Sequence, residues 1–500
     1  MSDKRIMKNT IILYLRMIFQ MGVYLYTTRV VIKALDLDYG IYDVVGSVVL
    51  AMMFLNNSML NCTQRFITYA LAEENRHKLN VAFSHSVIIH VVFGIGIVLV
   101  GGLLGTWYIH EFMTLPHGRL YDALFVFYVS LASGFVTMVS VPYNALIIAK
   151  EHMGVFAIIT IVDVLLKLLV ASSLFYFEGN RLRMYALLLF AASLVVRVIY
   201  GIYCRMAYKE VCLVLKLDKA ELKKMLGFLG WNTIGNTAIM CNTQGLNLLL
   251  NMVGGTLLNA ARGVAFQVQT ATVSFINSFQ TAINPQITKT YAVGNLAKMN
   301  SLVLTSSRVS FLLMLFIIVP LLLLTENLLA LWLTEYYPYT VDFIRLLLAV
   351  SVVDAISNPL MVGASATGKI KKYQLLVGGC MLCTIPVAFV VLKMGASPTS
   401  VFWSLLATTI LAQIVRMWLC RELFKFPVSA FCSTVLLPIL KVVVACFVPL
   451  LLLRPYYVDC SGFNVILVSL MLDMWVAVCV FVLGLKKNER DFLLRKIRLK

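Results

Sequence analysis

The chain has 500 residues, 61% of them hydrophobic and 13% charged, and a mean hydropathy of +0.89. That much apolar surface excludes a soluble globular protein and points to a polytopic membrane protein. The net charge of +19 raises nucleic acid as a partner, and only the placement of the charges decides against it.

Segments of about 20 or more apolar residues number about fourteen. The first, near Met7–Ala34, has no small-residue cleavage site after it and is expected to stay as a span. The second covers Gly40–Ala72, and spans continue to Met184–Tyr208, the sixth. The seventh (Met225–Met252) and eighth (Leu257–Gln286) are joined by a turn at Val253-Gly254-Gly255-Thr256. The last two are Cys432–Leu453 and Phe463–Leu485. With the N-terminus inside, inner segments hold Lys4, Arg5, Lys8, Arg76, Lys78, Lys150, the group from Arg205 to Lys224, Lys289, Lys298, Lys369, Lys371, Lys372, Arg421, Lys425 and the tail. Outer loops hold only Arg119, Arg181, Arg183, Lys393 and Arg454. This bias of about five to one is expected to fix both termini in the cytoplasm. The basicity is therefore topology, and no nucleic acid is expected as a partner.

The longest inner connection, 209–224, is expected to divide an N-terminal six-helix lobe (1–208) from a C-terminal one (225–425). Two extra spans fill 426–485. The basic tail, 486–500, is expected on anionic lipid. Internal similarity supports two lobes. Thr68-Tyr69-Ala70 ends the second span, and Thr290-Tyr291-Ala292 ends the eighth. Pro142 precedes Ala149-Lys150-Glu151-His152, and Pro359 precedes Ala366-Thr367-Gly368-Lys369. Repeated lobes are the usual construction of transporters.

Three spans are striped with polar residues at helical spacing. The second carries Asn57, Asn61, Gln64 and Thr68. The seventh carries Asn232, Asn236, Thr243, Asn247 and Asn251. The eighth carries Gly263, Gln267, Thr270, Ser274, Asn277, Thr281 and Asn284. Such stripes serve as helix–helix glue or line a wet cavity. Arg262 beside two of them favours the cavity.

Further cations lie within the spans: Arg16, Arg29, Lys33, Arg65, Lys167, Arg197, Arg308, Arg345, Arg416 and Lys441. Lys33 and Arg416 are near span ends and are expected to reach the interface. Asp163 lies one turn before Lys167, so the two can pair, either structurally or as a gate or ion-coupling pair. Asp354 and Asp473 are other possible counter-ions, and Asp43 sits near the outer end of the second span. A net-positive interior of guanidinium groups and amides suits an anionic substrate, because arginine binds phosphate oxygens in pairs. Tyr24 and Tyr26, with the amides, suit sugar hydroxyls. A cation exporter would need cavity carboxylates, and the first and seventh spans have none. Cys380 and Cys383 read as small core residues. No metal spacing is present among the histidines.

The stretch TRVVIKALDLDYGIYDVVGSVV, the Asn-rich span running into CTQRFITYALAEEN, the segment VPYNALIIAKEHM and the seventh–eighth pair resemble the polysaccharide-biosynthesis transporters of bacteria. These are the O-antigen and capsule oligosaccharide flippases of the multidrug/oligosaccharidyl-lipid/polysaccharide (MOP) exporter superfamily. The resemblance covers nearly the whole chain. It implies an all-α, MATE-like fold of two pseudo-symmetric six-helix lobes around a central cavity, plus two C-terminal helices. It also implies a bacterial inner-membrane protein, not an enzyme and without cofactor or metal, that flips undecaprenyl-pyrophosphate-linked oligosaccharide by alternating access. Coupling to H+ or Na+ and contact with membrane lipids and other polysaccharide-assembly proteins are implied as well.

Relatives that flip the peptidoglycan precursor, lipid II, carry cavity arginines on spans one, two and eight. Those are the spans of Arg29, Arg65 and Arg262 here, and that substrate stays open. On this reading Arg29, Arg65 and Arg262 hold the pyrophosphate, while Asn57, Asn61, Gln64, Asn236, Asn247 and Asn277 line a hydrated path for the glycan. An ion-coupled multidrug antiporter of the same fold is the nearest alternative. A membrane-bound polymerase or ligase would need a large outer loop, and the outer loops are short.

Overall fold

The computed structural model describes residues 2–35, 38, 41–42, 55–111, 118–214, 218–333, 336–457, 460–487 and 489–491. Asp43 and the last nine residues of the basic tail lie outside them. Among the described residues there is helix and no strand. The chain separates into two compact units, Met1–Thr233 and Ile234–Lys500.

Unit 1 is built from α1 (Ser2–Leu35), α2 (Leu55–Ala72), α3 (Arg76–Glu111), α4 (Leu120–Ala149), α5 (Met153–Ser173) and α6 (Arg181–Ala207). To these it adds the start of α7 (Lys219–Ala292). α1 packs on α5, and α4 lies against α2, α3 and α6. One core tier gathers Val31, Ile109, Phe127, Leu174 and Leu182; the other gathers Ile67, Leu79, Leu146, Ile159 and Tyr208. The close α3–α4 approach needs Gly105, where a Cβ would stand 2.1 Å from the Phe127 ring.

Unit 2 holds the rest of α7, then α8 (Leu296–Leu323), α9 (Thr325–Trp332), α10 (Thr340–Thr367), α11 (Lys371–Leu382), α12 (Thr384–Lys393) and α13 (Ser400–Phe424). Beyond these come α14 (Val428–Phe431), α15 (Leu437–Leu452) and α16 (Phe463–Cys479). α10 packs on α8 and α13, and α16 packs on α8.

Local geometry repeats between the units. Before α3, Glu74 turns left-handed (φ 54°) and the Asn75 side chain accepts from the Lys78 amide at 3.0 Å. Before α8, Gly294 does the same (φ 75°), and Asn295 accepts from the Lys298 amide at 3.0 Å. α4 and α10 each carry an internal proline, Pro142 and Pro359, and each is followed by a left-handed residue, Glu151 and Gly368. These are the positions of the sequence repeat.

Eleven helices among the described residues are long and apolar enough to cross a membrane. α2 and the two arms of α7 are helical where spans two, seven and eight are expected, but they are not among the eleven. Amides lower the hydropathy of the two α7 arms, and residues 43–54 of span two lie outside the described residues. The count of fourteen therefore depends on three helices that are not among the eleven.

Candidate substrate site

α7 is a hairpin. Gly254 (φ −139°, ψ 17°) and Gly255 (φ 60°, ψ −148°) break its helical backbone where the sequence predicts a turn. Gly255 needs a left-handed φ. At Gly254 a Cβ would meet the Leu258 side chain at 2.4 Å. The second arm folds back on the first, and Arg262 meets residues up to nineteen positions earlier.

Arg262 Nη1 donates to Asn247 Oδ1 at 3.2 Å, and Nη2 donates to the Thr243 carbonyl at 2.9 Å. Its guanidinium also lies 5.4 Å from the centre of the Phe266 ring. Every acceptor here is neutral. No Asp or Glu occurs in the sequence between Glu221 and Glu326, so both arms are free of carboxylates beyond the first turn of α7. Asn236 is half-buried on the face of Thr243 and Asn247, while Asn277 is exposed about four turns beyond Arg262.

Other amides are glue. Asn232 Nδ2 donates to the Ser58 carbonyl at 3.1 Å, and Asn242 Nδ2 to Thr384 Oγ1 at 3.4 Å. Both asparagines are buried. The glue reading thus holds for these two residues.

In unit 1, α2 presents two faces. Asn57 and Asn61 are exposed and Gln64 half-buried along one of them. On the other, Ser58, Cys62 and Arg65 meet the start of α7. Cys62 Sγ points at the Met225 carbonyl (3.6 Å), and the Arg65 guanidinium lies over Phe66 (4.7 Å), Phe228 (5.0 Å) and Tyr69 (5.6 Å). Arg65 and the amide stripe therefore diverge around the helix. Arg29 is exposed and makes no hydrogen bond or ion pair among the described residues. Lys167 Nζ donates to Asp163 Oδ2 at 2.8 Å. Tyr200 lies within electrostatic range of both Asp163 and Arg16, a grouping across three helices that spacing could not reveal.

Two expectations are corrected. Arg416 does not reach an interface: it is buried, donating from Nε to Tyr373 Oη (2.8 Å) and from Nη1 to Gln413 Oε1 (2.9 Å). Polar partners on α11 and α13 make burial affordable. Cys383 is exposed and Cys380 half-buried, so neither is a buried core residue. The sequence reading also missed Asp122, which accepts from Arg119 (2.8 Å), Arg183 (2.6 Å) and Asn180 (3.0 Å) and ties the starts of α4 and α6 together.

No protein-family model matches the chain, and neither does any curated protein. Solved structures do. One is a MATE protein in its bent conformation, with TM-score 0.74 at 15% identity over 87% of this chain and 97% of that one. The outward-facing conformation of a multidrug resistance MATE family transporter of the MOP superfamily gives 0.74 at 15% identity, over 85% and 96%. A MOP superfamily transporter from Pyrococcus furiosus, described by a binding pocket of reversed polarity, gives 0.70 at 15% identity, over 85% and 96%. The fold is the MATE fold.

Proposed function

We propose that this chain is a transporter that flips an undecaprenyl-pyrophosphate-linked oligosaccharide across the bacterial inner membrane by alternating access, with both termini in the cytoplasm. One observation carries the reading: Arg262 is held by neutral oxygens in a stretch without carboxylates, so no neighbouring acid in that stretch offsets its charge. A guanidinium so placed suits a pyrophosphate and opposes an organic cation. Arg29 and Arg65, both in unit 1, are proposed as further phosphate-binding groups. Asn57, Asn61, Gln64, Asn236 and Asn277 would offer hydrogen bonds to sugar hydroxyls, and Asp163–Lys167 would serve coupling to H+ or Na+. The prenyl tail would stay among membrane lipids, and other polysaccharide-assembly proteins would supply and receive the glycan.

The test is export of the lipid-linked glycan in cells. Arg262→Ala is expected to abolish it at a normal protein level, and full complementation by that variant would remove Arg262 from the site. Resemblance to a multidrug MATE transporter supports a second reading, drug antiport. Export of cationic dyes by the wild type, unaffected by Arg262→Ala, would favour it. Lipid II as substrate is distinguished by rescue of a strain lacking its peptidoglycan-precursor flippase.

A further inference from the structure

We infer that Asn247 is a positioning residue for Arg262 and that its neutrality sets the site's selectivity for an anion. The inference rests on the flippase reading of the α7 hairpin. Asn247 Oδ1 accepts from Arg262 Nη1 at 3.2 Å, and the Thr243 carbonyl one turn earlier accepts from Nη2 at 2.9 Å. Two acceptors on one helix fix the plane of a rigid guanidinium carried by the other arm. Phe266, one turn beyond Arg262, places a ring near the guanidinium at 5.4 Å. Each of Nη1 and Nη2 has a second hydrogen, and Nε has one. None of these is used in the two bonds that hold the group.

The chemical identity of the acceptor matters more than its presence. A carboxylate at position 247 would accept the same hydrogen bond and hold the same geometry more strongly. It would also cancel the charge that an incoming anion must find. An amide oxygen orients the guanidinium and leaves its charge intact. A residue that merely lines a glycan path behaves differently, since a carboxylate there accepts sugar hydroxyls as well as an amide does. Asn247→Asp therefore separates the two roles with almost no change of shape.

The experiment uses the full chain, purified, with a fluorescent prenyl pyrophosphate as probe and the matching prenyl alcohol as control. The wild type is expected to bind the pyrophosphate and not the alcohol. Asn247→Asp should lose pyrophosphate affinity by about tenfold or more while remaining folded, as one charge-assisted contact is worth that factor. Asn247→Ala, which frees the guanidinium without neutralising it, should lose less. Asn247→Gln, which restores a neutral oxygen, should recover part of that loss. In cells, Asn247→Asp should fail to export at normal protein level. Wild-type affinity in Asn247→Asp would overturn the positioning role while leaving the flippase reading standing. A wild type that does not distinguish pyrophosphate from alcohol would overturn the flippase reading and this inference with it.

Discussion

Three arginines within the helices of unit 1 lie on aromatic rings, whereas four of unit 2 bind oxygen. Arg16 lies over Phe156 (4.8 Å), Arg197 over Tyr143 (4.0 Å) and Arg65 among three rings. In unit 2, Arg262 meets an amide and a carbonyl, Arg308 pairs with Glu489, Arg345 with Glu326 (3.3 Å), and Arg416 with a phenol and an amide. A ring face attracts a cation without taking its N–H donors, while an oxygen occupies one donor and fixes its direction. The first three charges are thus shielded, and the other four are oriented. Of those four, Arg262 and Arg416 are held by neutral groups among the described residues. Arg416 is buried, with Asp354 in electrostatic range, which leaves Arg262 as the one that is both oriented and far from acid.

Removing an oxygen in unit 2 should therefore cost more than removing a ring in unit 1. The largest effect is expected for Gln413→Leu. Gln413 Oε1 accepts from Arg416 Nη1 (2.9 Å) and from Ser357 Oγ (2.5 Å), all three residues being buried. Losing one charge-assisted and one neutral hydrogen bond should destabilise the protein by about 2–4 kcal/mol. Unfolding in detergent, followed by tryptophan fluorescence, measures it. A loss near zero would mean that water replaces the amide and that the oxygen contacts are not structural.

These differences were only partly legible in the sequence. The hairpin at Gly254-Gly255, the paired Pro142 and Pro359, and the Asn-capped turns follow from local rules, since glycine, proline and asparagine constrain the backbone where they stand. The company of Asn247 and Arg262 was also within reach, because a turn of known position brings equidistant residues level. That Arg262 also takes a backbone carbonyl was not, as a carbonyl leaves no mark on side-chain spacing. Nor could spacing show that Arg65 and Gln64, adjacent in sequence, serve different faces of α2. Arg416 was misread for a related reason: distance from a span end says nothing about Tyr373, forty-three positions away. Hydropathy was least informative along α7, because its amides mask both arms as spans.

A smaller effect is expected from Phe228→Leu, which keeps apolar volume at the start of α7 but removes a ring from Arg65. A buried cation–π contact is worth about 1–2 kcal/mol. The loss should therefore fall below that of Gln413→Leu in the same unfolding experiment. An equal or larger loss would erase the distinction between shielding and orienting. It would also mark Phe228 as a packing residue whose ring fills space rather than answers charge.

The smallest effect concerns the segment between α6 and α7, which is fastened along unit 1. Tyr208 Oη meets His152 Nδ1 (2.8 Å), Lys150 donates to Glu210, and the amides of Cys212 and Val214 donate to Asn80 (3.1 Å) and Ser84 (2.8 Å). The hydrogen bond from Lys150 holds the Glu210 carboxyl below its usual range. A carboxylate whose pKa is lower folded than unfolded contributes stability above its unfolded value, near 4.3, and loses it as pH falls through the folded value. Partial exposure limits the contribution to about 0.2–1 kcal/mol. Hydrogen exchange at Cys212 and Val214, corrected for intrinsic rates, should show protection declining from pH 7 towards pH 4 in the wild type. In Glu210→Gln it should start lower and stay flat. Phenyl and phenol rings do not titrate between pH 7 and pH 4, so over the same range the surroundings of Arg16 and Arg197 should not change. A parallel acid response there would mean that a carboxylate, and not an aromatic face, is what those arginines answer to.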